Sequence, residues 1–240
     1  MPQGLGIQLG LGGGRSATPS GAPAGGGGGL SNIYSVDFDG ANDYATSDSN
    51  ADLGSATAWT LACWFKTDDV DVYHEPIVGL GTSGTYFAIR TTSGNAMMRE
   101  QSLQTAIGAF STTEWNFVAV YQSDDSTIKG MLNGGAWVAK GTVQNGATEI
   151  QATYGANPVT IARGPYGTHY FPSLIDEVAY WNTAVSEADL EAIYNSGTPL
   201  DLDDYNPTSW WRMGDGDSPS VGTGTPTTVT DQVIASSNDL

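Results

Sequence analysis

The sequence predicts an all-β protein, an antiparallel sandwich of two sheets with one short helix and a glycine-rich N-terminal arm. Strand-like segments recur about every 8–15 residues between Leu30 and Ile161, separated by polar turns, which is typical of such sandwiches. The segment Trp59–Lys66 is apolar on both faces, as expected for a strand inside a sandwich. Apolar residues make up 39% of the chain, enough to build a full core.

The composition of the chain excludes several classes of protein. Its 26 acidic and 8 basic residues give a net charge of −18, and such a surface repels the phosphates of nucleic acids. No stretch approaches the roughly 18 consecutive apolar residues of a membrane-spanning helix. One cysteine and two histidines are too few for a typical structural zinc site. We therefore expect no nucleic-acid partner and no membrane insertion.

Residues 1–30 form a separate glycine-rich arm. This arm holds 12 of the 32 glycines, and Arg15 is its one charged side chain. Its composition is that of a linker that cannot bury enough surface to fold alone. Four apolar residues alternate with Gly or Gln near its start: Leu5, Ile7, Leu9 and Leu11. We expect the arm to gain order by binding a neighbouring subunit, with these side chains as anchors.

The strands of the main domain, residues 31–200, follow the arm in order. Alternation of apolar and polar residues, or a short apolar run between turn residues, predicts each strand. The predicted strands are 34–38, 59–66, 75–80, 85–91, 96–100, 115–122, 128–132, 136–140 and 159–162. Asn133, Gly134 and Gly135 stand between two of these strands and predict a hairpin turn.

A short helix follows Ser186. Ser186 with Asp189 gives a Ser-x-x-acid capping pattern, and Leu190 and Ile193 then supply an apolar stripe. Asn195 and the residues after it form the end of the helix. Residues 201–240 follow as an acidic segment rich in Gly, Ser, Thr and Pro, which also contains two adjacent tryptophans.

Four sequence pieces stand in a characteristic order. They are S-V-D-F-D-G-A-N-D-Y at 35–44, W-T-L-A-C-W-F-K at 59–66, W-N-F-V-A-V-Y at 115–121 and L-I-D-E-V-A-Y-W-N at 174–182. Together they resemble the laminin-G-like family of concanavalin A-like jelly rolls over about residues 31–197. The resemblance implies a jelly-roll sandwich whose core contains Phe38, Tyr44, Val178, Tyr180 and Trp181. Cys63 is then a buried small hydrophobe rather than a reactive thiol.

The C-terminal segment resembles a piece that often precedes the F-D-G strand in such domains. The matching residues are S-W-W-R-M-G-D-G-D at 209–217, followed by V-T-D-Q at 229–232 and S-N-D-L at 237–240. Here the piece follows the helix instead. Three alternatives stay open: residues 207–240 pack back on the opening strand of their own domain, they are donated to a neighbouring copy, or they are a simple decoration.

No arrangement of residues indicates catalysis. Jelly-roll glucanases place acids on alternate residues of one strand, so that the side chains share a face. Asp176 and Glu177 are adjacent, so a regular strand sends them to opposite faces. His74 and His169 are far apart in the sequence and lie in no metal or nucleophile motif. We therefore expect a protein that is not an enzyme.

The resemblance implies a calcium ion at the rim of the sandwich. Asp39 and Asp43 match the acidic positions of the F-D-G-x-x-D motif, and Asp176 matches the I-D-E-V motif. The alternative is that these carboxylates cap the amides of turns.

The segment 164–171 gathers three aromatic residues and a histidine in a glycine-containing loop. Tyr166, His169 and Tyr170 are our candidates for a sugar-binding site, because aromatic rings stack on sugars. The alternative is that some of these side chains pack under their own loop.

We expect a structural virion protein of a bacterial virus that binds its neighbours through the arm. Residues 1–6 resemble no secretion signal, although this domain type usually works outside cells. Synthesis in a host cytoplasm and delivery on a particle surface would reconcile the two. Its partners would be other virion subunits, with host-surface glycans as ligands of the rim loops. The alternative is a stand-alone, calcium-assisted carbohydrate-binding module.

Overall fold

A computed structural model describes most of the chain. The described residues are 4–8, 32–47, 57–70, 75–82, 85–100, 103–124, 127–141, 143–144, 147–148, 159–164, 169–213, 215 and 228–230. Within them the chain is built of strands with one α-helix, which confirms the all-β prediction.

The strands are numbered here in chain order. They are β1 (Gly4–Gln8), β2 (Val36–Asp39), β3 (Tyr44–Ser47), β4 (Trp59–Lys66), β5 (Glu75–Thr82), β6 (Thr85–Thr92), β7 (Asn95–Glu100), β8 (Leu103–Ala109), β9 (Asn116–Asp124), β10 (Thr127–Leu132), β11 (Val138–Ala139), β12 (Val143–Gln144), β13 (Ala147–Thr148), β14 (Thr160–Ile161), β15 (Pro172–Trp181), β16 (Ser209–Trp211) and β17 (Thr228–Thr230). The helix α1 (Glu187–Tyr194) lies between β15 and β16.

Two antiparallel sheets form the sandwich. The larger sheet has the order β17-β1-β3-β14-β5-β6-β7-β8. The smaller sheet has the order β11-β10-β9-β4-β15-β16, and β2 also pairs with β15. A separate hairpin joins β12 and β13. These connections confirm the jelly-roll sandwich that the sequence predicts.

The main core lies between the two sheets. One row of paired residues crosses the larger sheet and faces this core: Ala45, Ile161, Val78, Ile89 and Met98. Phe38, Val178 and Tyr180 join the core from the smaller sheet, and Cys63 is fully buried in it. Tyr44 is different: it lies on the opposite face from its neighbour Ala45, because successive strand residues alternate. The prediction that Tyr44 belongs to the core is therefore wrong.

The helix covers the outer face of the smaller sheet. Ser186 caps it as the sequence predicts, because the Ser186 hydroxyl accepts a hydrogen bond from the amide of Asp189 at 3.1 Å. Asn195 ends the helix in the left-handed conformation. Leu190 and Ile193 pack on a second apolar cluster, which contains Trp181 and lies outside the main core. The prediction that Trp181 shares one core with Phe38 is therefore wrong, because Trp181 lies on the opposite face of β15 from Tyr180. No helix among the described residues is long and apolar enough to cross a membrane.

The two ends of the described domain meet on one strand. β2 pairs with residues 172–175 of β15, and β16 pairs with residues 178–180 along the same edge. Beyond β16, the carboxylate of Asp215 accepts hydrogen bonds from the amides of Ile33 and Tyr34 at 2.8 and 2.9 Å. For residues 209–213 and 215 this arrangement agrees with the first of the three alternatives, packing beside the opening strand of the same chain; residues 216–227 and 231–240 lie outside the described residues.

Part of the predicted arm is a strand of the chain's own sheet. β1 pairs with β3 on one side and with β17 on the other. Leu5 and Ile7 therefore lie within this sheet, whereas the sequence predicted a position in a neighbouring subunit; Leu9 and Leu11 lie outside the described residues. The physical reason is that a strand is held by backbone hydrogen bonds, which a glycine-rich segment supplies as well as any other.

Candidate aromatic site on the larger sheet

The outer face of the larger sheet carries two tyrosines and an arginine in contact. Tyr44 of β3 is half-buried on this face. Its ring centroid lies 6.2 Å from that of Tyr170, with the ring planes inclined at 45°. The guanidinium carbon of Arg163 lies 4.4 Å from the centroid of the Tyr44 ring, which is a cation–π contact. We call Tyr44, Arg163 and Tyr170 the aromatic site.

A loop that begins after β14 positions two members of this site. The backbones of Arg163 and Tyr170 form an isolated antiparallel bridge, and the amide of Gly164 donates to the carbonyl of His169 at 3.3 Å. Ala162, just before the bridge, is fully buried and has a φ of 59°. Its amide donates to the carbonyl of Ile77 at 2.9 Å. The base of the loop is therefore fixed to the sheet.

The aromatic site combines the groups that recognise sugars. Tyrosine rings offer apolar faces for the C–H groups of a sugar ring, and their hydroxyls donate and accept hydrogen bonds. The Arg163 guanidinium adds several donors in a planar fork. His169 is half-buried in the same loop. All four side chains are partly exposed, so a ligand reaches them from solvent.

The sequence identified only part of this site. Tyr170 was predicted and belongs to the site; His169 was also predicted and precedes Tyr170 in the same loop, and Tyr166 lies outside the described residues. Tyr44 and Arg163 were missed. The alternation of Tyr44 with the small Ala45 was a usable signal, because Ala45 suits a core row and then directs Tyr44 outward.

A second cluster of charged residues lies at a bulge in β15. The register of β15 with β4 shifts between Asp176 and Ala179, and Glu177 has a φ of 47°. Asp176 pairs with Trp64 across the two strands, and Glu177 Oε2 accepts a hydrogen bond from Trp210 Nε1. Both tryptophans belong to the cluster under α1, so the two acids lie on the same face of β15. The prediction that the two acids point to opposite faces is therefore wrong, since the bulge breaks the alternation.

The two acids of this bulge are buried, and the pKa of each is raised. Glu177 is 4% exposed, and its Oε1 accepts from Arg212 Nε at 3.1 Å. Burial raises the pKa of Glu177 to about 7, although the contacts with Arg212 and Trp210 oppose the shift. Burial and the neighbouring Glu177 also raise the pKa of Asp176. These groups lie in the interior and are not open to a ligand.

The structure brings two of the predicted calcium ligands, Asp39 and Asp43, close together, whereas the third, Asp176, interacts with other residues. Asp39 Oδ1 accepts hydrogen bonds from the amides of Ala41 and Asn42 at 2.8 and 3.4 Å, so it caps a turn. Burial, with the nearby charge of Asp39, raises the pKa of Asp43. Asp176 belongs to the β15 bulge. In the part of the chain that the structure describes, no three His, Cys or carboxylate side chains converge as metal ligands. The predicted set therefore does not fit a calcium ion as arranged, and calcium stays a prediction from resemblance.

A cleft of about 470 Å³ opens where β2, β4 and β15 meet. Its charged lining comprises Asp37, Asp39, Lys66 and Asp68. Among the described residues that line it, the one aromatic is Phe38, whose side chain is buried in the main core. The cleft thus offers polar groups without a stacking face, and it suits a sugar less well than the aromatic site.

Comparison with known proteins supports the fold. Residues 39–191 match the family described as the concanavalin A-like lectin/glucanases superfamily. No curated protein is significantly similar to the sequence.

Several solved structures are similar in fold. One is tailspike protein 2 from the Escherichia coli O157:H7 bacteriophage CAB120, with a TM-score of 0.55 and 12% identity over 76% of this chain and 27% of that one. Another is domain 4 of an extracellular arabinanase from Geobacillus stearothermophilus, in complex with arabinotriose, with a TM-score of 0.52 and 15% identity over 74% of this chain and 85% of that one.

A third similar structure is a sialidase from Trypanosoma rangeli, with a TM-score of 0.53 and 12% identity over 69% of this chain. The present chain spans only 28% of the sialidase and 27% of the tailspike. At these identities the likeness concerns the fold alone.

Proposed function

Because the chain belongs to the concanavalin A-like lectin/glucanases superfamily, we propose that it is a non-enzymatic adhesion protein of a bacteriophage virion that binds host-surface glycans. It would act on the particle surface as a capsid decoration, head-fibre or tail-fibre component. Glycan binding would take place at the aromatic site.

The contact between Tyr44 and Tyr170 carries the glycan part of this proposal. The two rings are half-buried on the face of the larger sheet that turns away from the core, and the Arg163 guanidinium lies beside them. Aromatic side chains beside a few hydrogen-bonding groups are the usual composition of a small-ligand site, and the apolar faces of the two rings suit the C–H groups of a sugar. The similarity in fold to an arabinanase domain that holds arabinotriose supports the same function.

The similarity in fold to a phage tailspike supports the virion part. The net charge of −18 also suits a protein that stays soluble at a crowded particle surface, because like charges oppose nonspecific association. Residues 9–30 of the glycine-rich arm would contact neighbouring subunits.

Glycan binding is tested by probing a glycan array with the full chain and with the Tyr44→Ala and Tyr170→Ala variants. We expect the wild-type chain to bind a defined group of sugars and both variants to lose about tenfold or more in affinity, by analogy with the about 1–3 kcal/mol that an aromatic side chain contributes when a nucleic-acid base stacks on it. Trp137→Ala is the matched control, because Trp137 is a half-buried aromatic in the cluster on the other sheet. Equal binding by all four proteins would exclude the aromatic site.

Assembly is tested by sedimentation of the full chain and of a chain that lacks residues 9–30, with Gln8 joined to residue 31 by a short linker. We expect the full chain to self-associate at micromolar concentration and the shortened chain to stay monomeric. The deletion leaves β1 in place, so a change in self-association would not arise from the loss of a strand. A full chain that stays monomeric would contradict homotypic assembly through the arm.

The second candidate is a stand-alone carbohydrate-binding module. The chain matches 85% of the length of the arabinanase domain, which is itself one part of a larger enzyme. Strong glycan binding by a strictly monomeric chain would favour this alternative over the virion protein.

A further inference from the structure

The cleft where β2, β4 and β15 meet contains a lysine without a partner among the described residues. Lys66 is half-buried, and it forms no hydrogen bond or ion pair with another residue that the structure describes. The other basic residues of the described part of the chain each contact a partner side chain; they are Arg90, Arg99, Lys129, Lys140, Arg163 and Arg212. Lys66 is therefore an exception in a chain with 26 acidic residues.

Strand register places opposite charges on the two sides of this cleft. Asp37 of β2 pairs with Leu174 of β15, and Leu174 pairs in turn with Lys66 of β4. Asp39 pairs with Pro172 in the same way. Alternate residues of a strand share a face, so these side chains all lie on the outer face of the smaller sheet. The cleft thus has carboxylates on its β2 side, an ammonium group on its β4 side and an apolar floor between them.

A cleft of this composition suits a ligand with two opposite charges. Its volume of about 470 Å³ lies within the usual range of small-molecule sites, about 300–1,000 Å³. We propose that the cleft binds a small zwitterion, with its ammonium group beside Asp39 and its carboxylate beside Lys66. The apolar part of the ligand would lie on Leu174. This site is on the other sheet from the aromatic site, so the inference does not depend on the proposed glycan binding.

The carboxylate of Asp39 is held in position before a ligand binds. Its Oδ1 accepts hydrogen bonds from the amides of Ala41 and Asn42, so its own turn fixes its orientation. The same turn packs directly on the floor of the cleft, because a Cβ at Gly40 would lie 2.7 Å from the Cβ of Pro172. A carboxylate fixed in this way loses little conformational freedom on binding, which favours affinity.

The β2 side of the cleft concentrates negative charge, which favours a cation there. Burial and the nearby charges of Asp39 and Asp37 raise the pKa of Asp43, so these carboxylates influence one another through space. On the β4 side, Asp68 is exposed, and water screens its effect on Lys66. The two ends of the ligand would therefore meet different electrostatic surroundings.

The first experiment measures the separation of charges that the cleft accepts. The full chain is titrated with β-alanine, γ-aminobutyrate and ε-aminocaproate, and NMR chemical shifts follow the binding. The backbones of β2 and β4 are two strand spacings apart, about 10 Å, because β15 lies between them. We therefore expect ε-aminocaproate, which has the longest chain, to bind most tightly. EDTA in every sample keeps divalent ions away from the carboxylates.

The second experiment compares the zwitterion with analogues that carry one charge. Pentylamine lacks the carboxylate of ε-aminocaproate, and hexanoate lacks its amine. We expect ε-aminocaproate to bind at least about tenfold more tightly than either, because hydrogen bonds to charged groups are stronger than those between neutral groups. Salt at about 0.15 M limits the influence of distant carboxylates to about 8 Å. Nα-acetyl-lysine, the equivalent of a C-terminal lysine, separates a peptide end from a free small molecule as the source of the charges.

Two variants locate the binding. Lys66→Met should lower the affinity for ε-aminocaproate towards that of pentylamine, because the carboxylate of the ligand loses its cation. Asp39→Asn should lower it towards that of hexanoate, because the ammonium group loses its closest carboxylate. Asparagine keeps a side-chain oxygen that caps the turn, so the backbone there should not change.

Each variant has a matched control outside the cleft. Lys129→Met removes a lysine that pairs with Glu187. Asp201→Asn changes an exposed aspartate that also caps a turn, since its Oδ1 accepts from the amide of Asp203 at 3.0 Å. Both controls should bind ε-aminocaproate as the wild-type chain does. Thermal unfolding verifies that all four variants are folded.

Two results would overturn the inference. One is that the wild-type chain binds ε-aminocaproate no more tightly than pentylamine or hexanoate, which needs no variant. The other is an advantage of the zwitterion over both analogues that survives in Lys66→Met and in Asp39→Asn. Loss of glycan binding in Tyr44→Ala would leave this inference unchanged, since that residue lies on the other sheet.

Discussion

Glu177 of β15 and Arg212, which follows β16, form a buried ion pair with 3.1 Å between Oε1 and Nε. Their side chains are 4% and 11% exposed. The Arg212 guanidinium also lies 5.3 Å from the ring of Trp210, whose indole N–H donates to the same carboxylate. These three residues connect β16 to the bulge at Glu177 in β15.

The raised pKa of Glu177 should make the protein less stable as the pH rises. A glutamate in the unfolded chain titrates near pH 4.5, whereas Glu177 in the folded chain titrates at about 7. Between these values the folded state holds more protons, so the free energy of unfolding decreases with increasing pH, by roughly 3 kcal/mol in total. Urea denaturation at intervals between pH 4 and pH 8 measures this loss.

The Glu177→Gln variant is the control for that experiment. Glutamine does not titrate, so the decrease between pH 4.5 and pH 7 should become shallower, while the general repulsion among the other carboxylates persists. Asp176 also has a raised pKa and keeps part of the slope. An unchanged slope in the variant would show that Glu177 titrates normally.

Removal of the Arg212 side chain should lower the free energy of unfolding most at the pH values at which Glu177 is ionised. Arg212→Met leaves the Glu177 carboxylate buried without its partner, and breaking a buried pair typically costs about 3–5 kcal/mol. At pH 5 Glu177 is protonated in the folded chain, so the loss should be smaller there than at pH 8. Denaturation of both proteins at the two pH values provides the comparison, and an equal loss at both would contradict this account.

Gly134 should be far less tolerant of alanine than Gly94. Both glycines lie in hairpin turns and have a positive φ, of 67° and 74°. A Cβ at Gly134 would lie 2.6 Å from two carbons of the Tyr194 ring, whereas a Cβ at Gly94 would lie 4.0 Å from its nearest neighbour, Val70. Gly94→Ala should cost about 1 kcal/mol of conformational strain, and Gly134→Ala about 1–3 kcal/mol more.

Thermal unfolding of the two glycine variants tests this difference directly. Equal unfolding temperatures would mean that Tyr194 moves aside without cost.

Removing one partner of the ion pair between Lys140 and Glu100 should lower the free energy of unfolding strongly, whereas replacing both partners should lower it much less. Its nitrogen and oxygen lie 2.9 Å apart, and both side chains are almost fully buried. Lys140→Met alone should destabilise the protein by about 3–5 kcal/mol, because it leaves a buried carboxylate without its cation. The double variant Lys140→Met with Glu100→Gln should recover much of this loss. A double-mutant cycle on unfolding free energies measures the coupling, and additive losses would contradict it.

Local patterns account for the parts of the fold that the sequence predicted. Ser186 and Asp189 mark the start of α1 because capping involves residues three apart in the chain. Trp59–Lys66 is recognisable because each of its residues but the last is buried. The strand Leu103–Ala109 was missed, because it ends in small residues and its outer positions are exposed.

The aromatic site and the bulge depend on contacts between distant residues. Tyr44 and Arg163 meet because β3 and β14 are neighbours in the larger sheet, which no local pattern encodes. The bulge at Glu177 has no glycine to mark its positive φ. Its geometry arises from the contacts with Trp210 and Arg212, which come from a segment far along the chain.

Because β2 and β16 share one edge of β15, β16 could be exchanged between two copies of the chain. If Ser209–Trp211 leaves its place, the backbone at residues 178–180 becomes an open edge that accepts a strand of the same sequence. The equivalent strand of a second copy fits that edge with identical ladder partners and the same ion pair to Glu177. At the high local concentration of an assembly, reciprocal exchange of β16 would link adjacent copies without requiring a new interface.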